Sequence, residues 1–377
     1  FIEPATMALA DECHHLLKNE EIVSSRNPQE VLNIFTILIW AKLALKDSNW
    51  NPSSTHLATI EKLAPILRSL RHSDAGLPRF HGSCGDVDGQ LDQALSNAES
   101  REISPIEKSV GFVKLSNSRT TIIIDAAPPP MGKKAVKADA STLAFEMVSG
   151  QRRIFTSCGP GYLFGSNLSS ASRQTSSHSV VYIDNQNSSQ FSDKESWLKI
   201  PKKVIINGPR NVPKEISNDQ GICIFEGAHD GYVKSHGLTH VRKLKLAQDG
   251  QTFEGEDLVI AIEDSHKRQF DKISKKTSRG SLSVKAAFHL HPDVTLRWDQ
   301  KSHFVSLALK NGEVWIFNYS SDLNLDLKPT VFFENGLFEP LEAQKLILSA
   351  DLLDYGTRIK WSVARARNKD LSVGDLF

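Results

Sequence analysis

The hydrophobic period of this chain changes once, after about the first quarter of its length. Up to about residue 100, apolar side chains recur every three or four positions, which is the spacing of helices with one buried face. After Pro105 they alternate with polar residues over short runs separated by turn pairs such as Asp249-Gly250, which is typical of strands. Because helical segments do not separate these strands, the pattern predicts an α+β chain with paired antiparallel sheets rather than βαβ units. We place the boundary between Ser96 and Pro105, with a helical domain over residues 1–103 and a β-sandwich domain over residues 104–377.

Helix signals are found at three places before this boundary. The first helix begins at Asn27-Pro28-Gln29-Glu30, where the asparagine can cap free amides, the proline suits the first turn, and Glu30 can close a capping box. The second begins after Ser53 or Ser54, and the third runs from about Val87 to Ala98.

Eight short segments after the boundary have the composition of strands. They are Val113–Leu115, Thr121–Ile124, Val180–Ile183, Val204–Ile206, Ile222–Phe225, Val241–Leu246, Leu258–Ile262 and Phe304–Leu309. The strongest local signal is a hairpin over Phe304–Phe317, in which Asn311-Gly312 is the pair expected for a type I′ turn.

Charge and composition exclude several classes of protein. Lysine and arginine (45 residues) nearly balance aspartate and glutamate (44), so the net charge is +1 and a nucleic-acid-binding protein is not expected. The four cysteines are far apart and form no CxxC pair, which argues against a disulfide scaffold or a zinc ribbon. The most apolar stretch, Val31–Leu45, is shorter than the ~20 residues of a bilayer span, so we expect no integral membrane segment. We interpret the basic run Ser265–Lys276 as a solvated loop that could also attract an anionic polymer.

Several ordered phrases of the sequence resemble one enzyme family. They are Ser25-Arg26-Asn27-Pro28, Leu70-Arg71-His72, Ser141-Thr142-Leu143-Ala144-Phe145-Glu146-Met147, His229-Asp230-Gly231-Tyr232, His240-Val241-Arg242, Gly255-Glu256-Asp257 and Phe288-His289-Leu290-His291-Pro292. Together they resemble the heparinase II/III-like polysaccharide lyases, particularly their alphaproteobacterial members. The resemblance covers most of the chain and implies the end of an (α/α) toroid followed by a large antiparallel β-sandwich. It also implies an acidic polysaccharide as partner and a location in the cell envelope or periplasm.

The resemblance further implies cleavage of uronic-acid polysaccharides by β-elimination. That chemistry needs a group that neutralises the uronate carboxylate, a base that removes the α proton, and an acid that protonates the departing oxygen. The catalytic tyrosine of the family lies upstream in the toroid. The chain begins at Phe1 rather than at methionine, so we expect it to be a piece of a longer protein that does not cleave glycans by itself.

Departures from the family pattern concern a zinc site and its surroundings. Where relatives carry His-Ala-Asp, this chain has Lys137-Ala138-Asp139. Ser157-Cys158-Gly159 stands where the zinc-binding aspartate of relatives would lie, and His178 stands where they carry the last histidine ligand. Because a protonated lysine is a poor zinc ligand, we predict that the chain binds no structural zinc, and we expect no other cofactor.

Candidate site residues lie in the β half. We expect Arg242, Lys137 and His229 to contact substrate, and His178, His240 and Tyr232 to act as supporting donors. If Val241 faces the core, His240 and Arg242 share the opposite face of their strand.

Each candidate has a structural alternative. His178 could be a surface histidine bonded to its neighbouring serines, and the cluster around Arg242 could tie the two sheets together. For His289 and His291 we favour a packing role, because no third metal ligand follows them.

Two functions therefore stay open at this point. The first is the C-terminal part of a heparinase II/III-like lyase that acts on an acidic glycan. The second is a relative without catalysis that binds glycan or serves as a structural protein of the envelope.

Overall fold

The computed structural model describes residues 2–18, 23–85, 89–98, 110–132, 136–192, 204–276, 281–299 and 303–366. Within them, four helices precede the first strand. They are α1 (Ile2–Lys18), α2 (Pro28–Asp47), α3 (Ser54–Leu70) and α4 (Gln90–Asn97). The predicted division at residue 103 lies outside the described residues, as do residues 86–88 before α4, so the domain boundary stays a prediction.

The start of α2 follows its sequence signal only in part. The side chain of Asn27 accepts hydrogen bonds from the backbone N–H groups of Gln29 (2.9 Å) and Glu30 (3.4 Å), which confirms the predicted cap. The prediction that Glu30 closes a capping box is wrong. The carboxylate of Glu30 accepts instead from the hydroxyl of Ser25 and lies 3.9 Å from the Nζ atom of Lys137.

α2 is, among the described helices, the one long and apolar enough to cross a membrane by length and composition. Seven of its 20 residues are buried, and Val31, Phe35 and Ile39 join the hydrophobic core that also contains the inner face of α3. A core helix of a folded domain passes the same test. The outer side of α2 leaves Ile37 and Trp40 more than half exposed.

The rest of the chain consists mainly of strands. In chain order they are β1 (Phe112–Asn117), β2 (Thr120–Asp125), β3 (Phe145–Ser149), β4 (Arg152–Phe155), β5 (Val181–Ile183), β6 (Gln190–Phe191), β7 (Ile205–Asn207), β8 (Lys214–Asp219), β9 (Ile222–Tyr232), β10 (Leu238–Leu246), β11 (Thr252–Ile260), β12 (Leu282–His289), β13 (Val294–Trp298), β14 (Phe304–Leu309), β15 (Val314–Tyr319), β16 (Asn324–Phe332), β17 (Leu341–Leu352) and β18 (Gly356–Arg365). Three short helices interrupt them: α5 (Ser166–Ser172), α6 (Val233–His236) and α7 (Asp264–Ser274).

The strands form a layered antiparallel structure. One sheet has eight strands in the order β13-β14-β15-β18-β11-β10-β9-β8, and two sheets have four strands each, in the orders β1-β2-β3-β4 and β16-β17-β12-β5. Strands β6 and β7 form a separate pair. Every strand pairing between described residues is antiparallel, which confirms the predicted sandwich.

An aromatic cluster holds the sheets together. Phe145 of β3 contacts Phe253 of β11, Phe288 of β12 and Trp361 of β18, with ring centroids 5.2 to 6.4 Å apart. Each of these residues comes from a different strand, and the cluster joins all three large sheets. Burial of such side chains is the main stabilising contribution to a sandwich of this kind.

Two local predictions differ from the structure. In the hairpin of β14 and β15, Gly312 has a φ of +84° but Asn311 does not have a positive φ, so the connection is a three-residue turn over 310–312 rather than a type I′ turn. The basic run that we interpreted as a loop forms α7. Phe270 and Ser274, one turn apart, are its buried residues, and its lysines face outward.

Candidate functional site at the junction of helices and sandwich

Arg26 fastens the segment before α2 to the sandwich. Its guanidinium pairs with Asp125 at the end of β2 and donates to the backbone carbonyls of Val110, Gly111, Ala127 and Pro128. Burial alone would raise the pKa of the Asp125 carboxyl, but Arg26 and His81 hold that pKa well below its usual range. The family-like phrase around Arg26 therefore has a structural role at this junction.

His81 and Asp139 form the next layer of the junction. The backbone N–H of His81 donates to the Asp139 carboxylate (2.5 Å), and the backbone N–H of Asp139 donates to Nδ1 of His81 (3.2 Å). With Nδ1 as acceptor, the imidazole proton lies on Nε2, 3.3 Å from an oxygen of Asp125. Burial raises the pKa of Asp139 to about 7.

Lys137 stands at the open side of these buried layers. Its side chain is 42% exposed, and its Nζ atom lies 3.9 Å from Glu30 of α2 and 4.9 Å from the ring centroid of Tyr162. Gly82 makes room for it: a Cβ atom there would lie 2.7 Å from the Cβ of Lys137, and φ at Gly82 is +83°. A cation, a carboxylate and a phenol thus meet where the helices face the sandwich.

His178 is buried near His81 and Phe80. Its Nδ1 atom is 3.0 Å from the hydroxyl of Ser157, and burial lowers its pKa to about 3. The structure brings together two of the three stretches compared with a zinc site, since Ser157 and His178 are in contact. The interpretation of His178 as a surface histidine is wrong, because the ring is buried and contacts Ser157 rather than the serines next to it in the chain. Its role as a supporting donor stays a prediction.

The group around Arg242 lies inside the sandwich. Along β10, His240 and Arg242 alternate with the partly exposed Val241, so the predicted facing is reversed and the polar side chains point into the core. Arg242 binds both carboxylate oxygens of Asp257 (2.7 and 3.0 Å) and donates to the backbone carbonyls of Leu143 and Ser179.

His229 and His240 continue the hydrogen bonds of this group, and each donates to the next member. Nδ1 of His229 accepts from the backbone N–H of Gly231, so its Nε2–H donates to Nδ1 of His240 (3.2 Å). Nε2–H of His240 then donates to Asp257 (2.8 Å). Burial lowers the pKa of both imidazoles, and each is neutral in this chain of bonds.

These contacts correct four of the expected site residues. Arg242 and His229 were expected to contact substrate, and His240 and Tyr232 to act as donors, yet all four are at most 1% exposed. The hydroxyl of Tyr232 donates to the backbone carbonyl of Val181 (3.2 Å). A polysaccharide in solvent does not reach these groups, and the alternative of a cluster that ties the two sheets together fits their geometry. Lys137, the third residue expected to contact substrate, is partly exposed, and its contact with substrate stays a prediction.

Other residues of the junction were not among the expected site residues. Glu146 of β3 accepts from the backbone N–H groups of Arg79 (3.2 Å) and Ser157 (2.9 Å) and lies 3.7 Å from Nε2 of His72. Tyr162 follows Gly159-Pro160-Gly161, a turn sequence that could have indicated an aromatic side chain held at the surface.

One protein family matches most of the β half of this chain. The family described as "Heparinase II/III-like, C-terminal" matches residues 105–362. The chain belongs to the heparinase II/III-like family. The match begins close to the position where the hydrophobic period changes and ends within β18.

The heparinase II/III-like chain is also similar to a curated bacterial protein. It is 26% identical over 372 residues to "FtsZ-localized protein C" of Caulobacter vibrioides (strain NA1000 / CB15N), and the alignment covers 97% of this chain and 62% of that protein. The chain therefore spans about three fifths of the length of this relative.

Solved structures show the same fold. A heparan sulfate lyase HepC mutant from Pedobacter heparinus matches with a TM-score of 0.69 and 14% identity, over 96% of this chain and 56% of that one. The heparinase III-BT4657 gene product with methylated lysines matches with a TM-score of 0.71 and 13% identity, over 97% and 55%. The chain thus corresponds to slightly more than half of these structures.

The side chains of this heparinase II/III-like protein do not fit the zinc site that the resemblance implies. Lys137 presents an ammonium group, and burial raises the pKa of the Cys158 thiol to about 12, so that thiol keeps its proton and donates to the carbonyl of Ser172. Over the described ranges, no three His, Cys, Asp or Glu side chains lie together in a way that could hold a metal ion.

Proposed function

We propose that the protein containing this chain is a polysaccharide lyase that cleaves an acidic, uronate-containing glycan by β-elimination. The observation that carries the proposal is the position of Lys137, a partly exposed ammonium group at the junction of helices and sandwich. Glu30 and Tyr162 beside it supply a carboxylate and a phenol.

Lys137 would neutralise the uronate carboxylate, which makes the proton on the adjacent carbon more acidic. A base removes that proton, its electron pair forms the new C=C bond, and the bond from the sugar to the departing glycosidic oxygen breaks. An acid then protonates this oxygen, so no oxidant or reductant is consumed. Burial raises the pKa of Tyr162, so its phenol keeps a proton at neutral pH and can serve as the donor.

The base is proposed to come from the part of the protein that this chain does not include. The resemblance implies a catalytic tyrosine in the upstream toroid, and this chain spans just over half of the solved lyase structures. We propose that α1 to α4 are the last toroid helices. The apolar outer side of α2, with Ile37 and Trp40, suits the packing of further helices.

The second candidate function is a glycan-binding or envelope-structural relative that has lost catalysis. Lysine at position 137, where relatives carry histidine, favours it, as does the burial of His178, His240 and Tyr232. The similar Caulobacter protein bears the name "FtsZ-localized protein C" rather than that of a lyase. In either case the resemblance implies a place in the cell envelope or periplasm, which fractionation of cells would test.

Absorbance of the unsaturated uronate product distinguishes the two candidates. The intact protein and this 377-residue chain are each mixed with the same panel of acidic glycans, and binding is measured in parallel. We expect product from the intact protein and binding without product from the chain, because base and acid must meet one sugar within hydrogen-bond reach. Binding without product by both would favour the non-catalytic relative. Product formed by the chain alone would move the catalytic residues into the sandwich.

A further inference from the structure

The dipeptide Asn-Gly occurs three times in this chain, as Asn207-Gly208, Asn311-Gly312 and Asn335-Gly336. This pair is chemically reactive, because the backbone nitrogen of the glycine can attack the side-chain amide carbon of the asparagine and no Cβ atom hinders the approach. Hydrogen bonds or packing that fix either group slow the attack, since the local structure must first open. The three pairs lie in three different surroundings, so the fold selects which of them can react.

The first pair, Asn207-Gly208, is held by strand pairing and by packing. Asn207 is the last residue of β7 and pairs with Gln190 of β6. A Cβ atom on Gly208 would lie 2.6 Å from the hydroxyl oxygen of Ser189, and the buried Pro209 follows directly. The nitrogen of Gly208 therefore has little room to turn toward the Asn207 side chain.

The second pair, Asn311-Gly312, is held by hydrogen bonds in the turn between β14 and β15. The Asn311 side chain accepts from the backbone N–H of Glu313 (3.1 Å) and donates to the carboxylate of Glu313 (3.0 Å). The backbone N–H of Gly312 donates to the carbonyl of Leu309 (2.9 Å). Both reacting groups are thus bonded, and an attack would require these bonds to break first.

The third pair, Asn335-Gly336, is open to solvent. It lies in the connection between β16 and β17, where residues 335–339 are all exposed. Neither the Asn335 side-chain amide nor the Gly336 N–H makes a hydrogen bond with any residue that the structure describes. Gly336 has a φ of +81°, and an added Cβ would meet no atom within 4 Å, so the reacting nitrogen is surrounded by free space.

We propose that Asn335 is a site of spontaneous deamidation and that Asn207 and Asn311 keep their amides in the folded protein. The Gly336 nitrogen gives its proton to water or hydroxide and forms a bond to Cγ of Asn335, and the bond from Cγ to the side-chain nitrogen breaks with release of ammonia. Water then opens the resulting five-membered imide at either carbonyl, which leaves aspartate or isoaspartate. One water is consumed and one ammonia is released, and no oxidant or reductant takes part.

The reaction would add a negative charge beside a contact between the segment after α3 and the sandwich. Glu334 lies 3.6 Å from the guanidinium of Arg79, which also donates to the backbone carbonyl of Phe333. A carboxylate at position 335 would follow this pair directly, and an isoaspartyl link would lengthen the backbone by one carbon between the Arg79 contact and β17. The proposal goes beyond the lyase activity and is independent of it, because the chemistry needs only this loop and water.

Peptide mapping by mass spectrometry tests the proposal in the intact protein. The folded protein is kept at slightly alkaline pH and physiological temperature for several weeks, and a second sample is kept unfolded in urea at the same pH. Replacement of an amide by a carboxyl group changes the mass of each peptide separately, so the three pairs are followed in one experiment. A carboxyl methyltransferase specific for isoaspartyl groups then labels the isolated peptides, which identifies the isoaspartate product.

We expect Asn335 to deamidate at least about tenfold faster than Asn207 and Asn311 in the folded protein, a ratio typical of protection by one hydrogen bond. In urea the three rates should become similar, because the protecting contacts are lost. Asn335→Gln should stop the modification in this loop, since ring closure by the longer side chain is slow, and should leave the unfolding midpoint unchanged. The matched control Asn311→Gln should leave the rate at Asn335 unchanged.

Several outcomes would overturn the proposal. They are equal rates at the three pairs in the folded protein, faster modification at Asn207 or Asn311 than at Asn335, and an intact Asn335 in the folded protein when the urea sample is fully modified. A mass gain in the loop peptide that persists in Asn335→Gln would overturn it as well, because the reacting group would then lie elsewhere in that peptide.

Discussion

At the scale of single residues, the pair of Arg242 and Asp257 is a buried polar group with many hydrogen bonds. Burial alone would raise the pKa of Asp257, but Arg242 and His240 hold it well below the usual range. The indole N–H of Trp361 donates to the same carboxylate (3.3 Å). Because every partner is buried, the pair depends on complete hydrogen bonding rather than on exposure to water.

Asp257→Asn should therefore destabilise the chain strongly. The substitution leaves the Arg242 guanidinium buried without its carboxylate, which typically costs about 3–5 kcal/mol of unfolding free energy. Urea denaturation measures this loss, with Glu254→Gln on the exposed face of the same strand as the control. A loss below about 1 kcal/mol would show that the pair is not the structural tie described here.

Asp139 should make stability depend on pH near neutrality. Its folded-state pKa is about 7 and its ordinary value 3.8, so the folded state binds the proton more tightly than the unfolded state. This contribution is fully present below pH 4 and is lost as pH rises through 7. Asp139→Asn should gain stability relative to the parent between pH 5 and pH 8, by about 2 kcal/mol or more.

Denaturation of both proteins at the two pH values measures this gain. Asp351→Asn, which alters an exposed aspartate of β17, is the control and should show no such difference. If the stability difference between Asp139→Asn and its parent does not change with pH, the carboxylate is not held in the buried form described here.

At the scale of elements, close packing of the sheets depends on a glycine. A Cβ atom at Gly255 in β11 would lie 2.1 Å from the indole of Trp361 in the adjacent strand β18. Trp361 is part of the aromatic cluster that joins the sheets, so the indole cannot move without disturbing Phe145 and Phe288.

Gly255→Ala should thus destabilise the sandwich by about 1–3 kcal/mol through overpacking. Gly356→Ala is the matched control, because its added Cβ would have its nearest neighbour at 3.6 Å, an ordinary contact. Thermal unfolding of the two variants compares them directly. Equal midpoints would mean that the indole has room to shift.

The elements themselves were predictable in part, with about half of the strands located and α1 missed. Alternation located strands such as β10 and β11, whose residues are buried and partly exposed in turn, and the Asn27 cap located α2 because its signal is local. The facing of β10 was not predictable in this way, since charged side chains that pair with each other occupy core positions usually held by apolar residues. Helix α7 was not predicted because nearly all of its residues are polar.

The site was less predictable than the fold for a physical reason. Lys137, Glu30 and Tyr162 meet only through tertiary packing, and a single sequence carries no periodic signal for such a contact. The family-like phrases did point to important residues, but Arg26 and Asp257 act in the architecture rather than at an opening.

At the scale of the whole molecule, helices and sandwich are joined by several polar contacts. Arg26 pairs with Asp125, Asp74 pairs with Arg153, and His72 bonds Thr121 across the same boundary. These contacts fix the distance between the two walls. The proposed lyase needs groups from both sides of this boundary to meet one sugar, and a fixed distance between helices and sandwich suits that requirement.

The most direct test of this account is the rate of unsaturated-uronate formation by the intact protein with and without the Lys137 ammonium group. Lys137→Gln is compared with the parent and with Lys328→Gln, which alters an exposed lysine of β16. We expect kcat/KM to fall about 10²-fold in Lys137→Gln, an effect typical of removing one electrostatic stabiliser, and to be unchanged in Lys328→Gln. Equal rates in Lys137→Gln and the parent, or no product from the intact protein on any acidic glycan, would contradict the account.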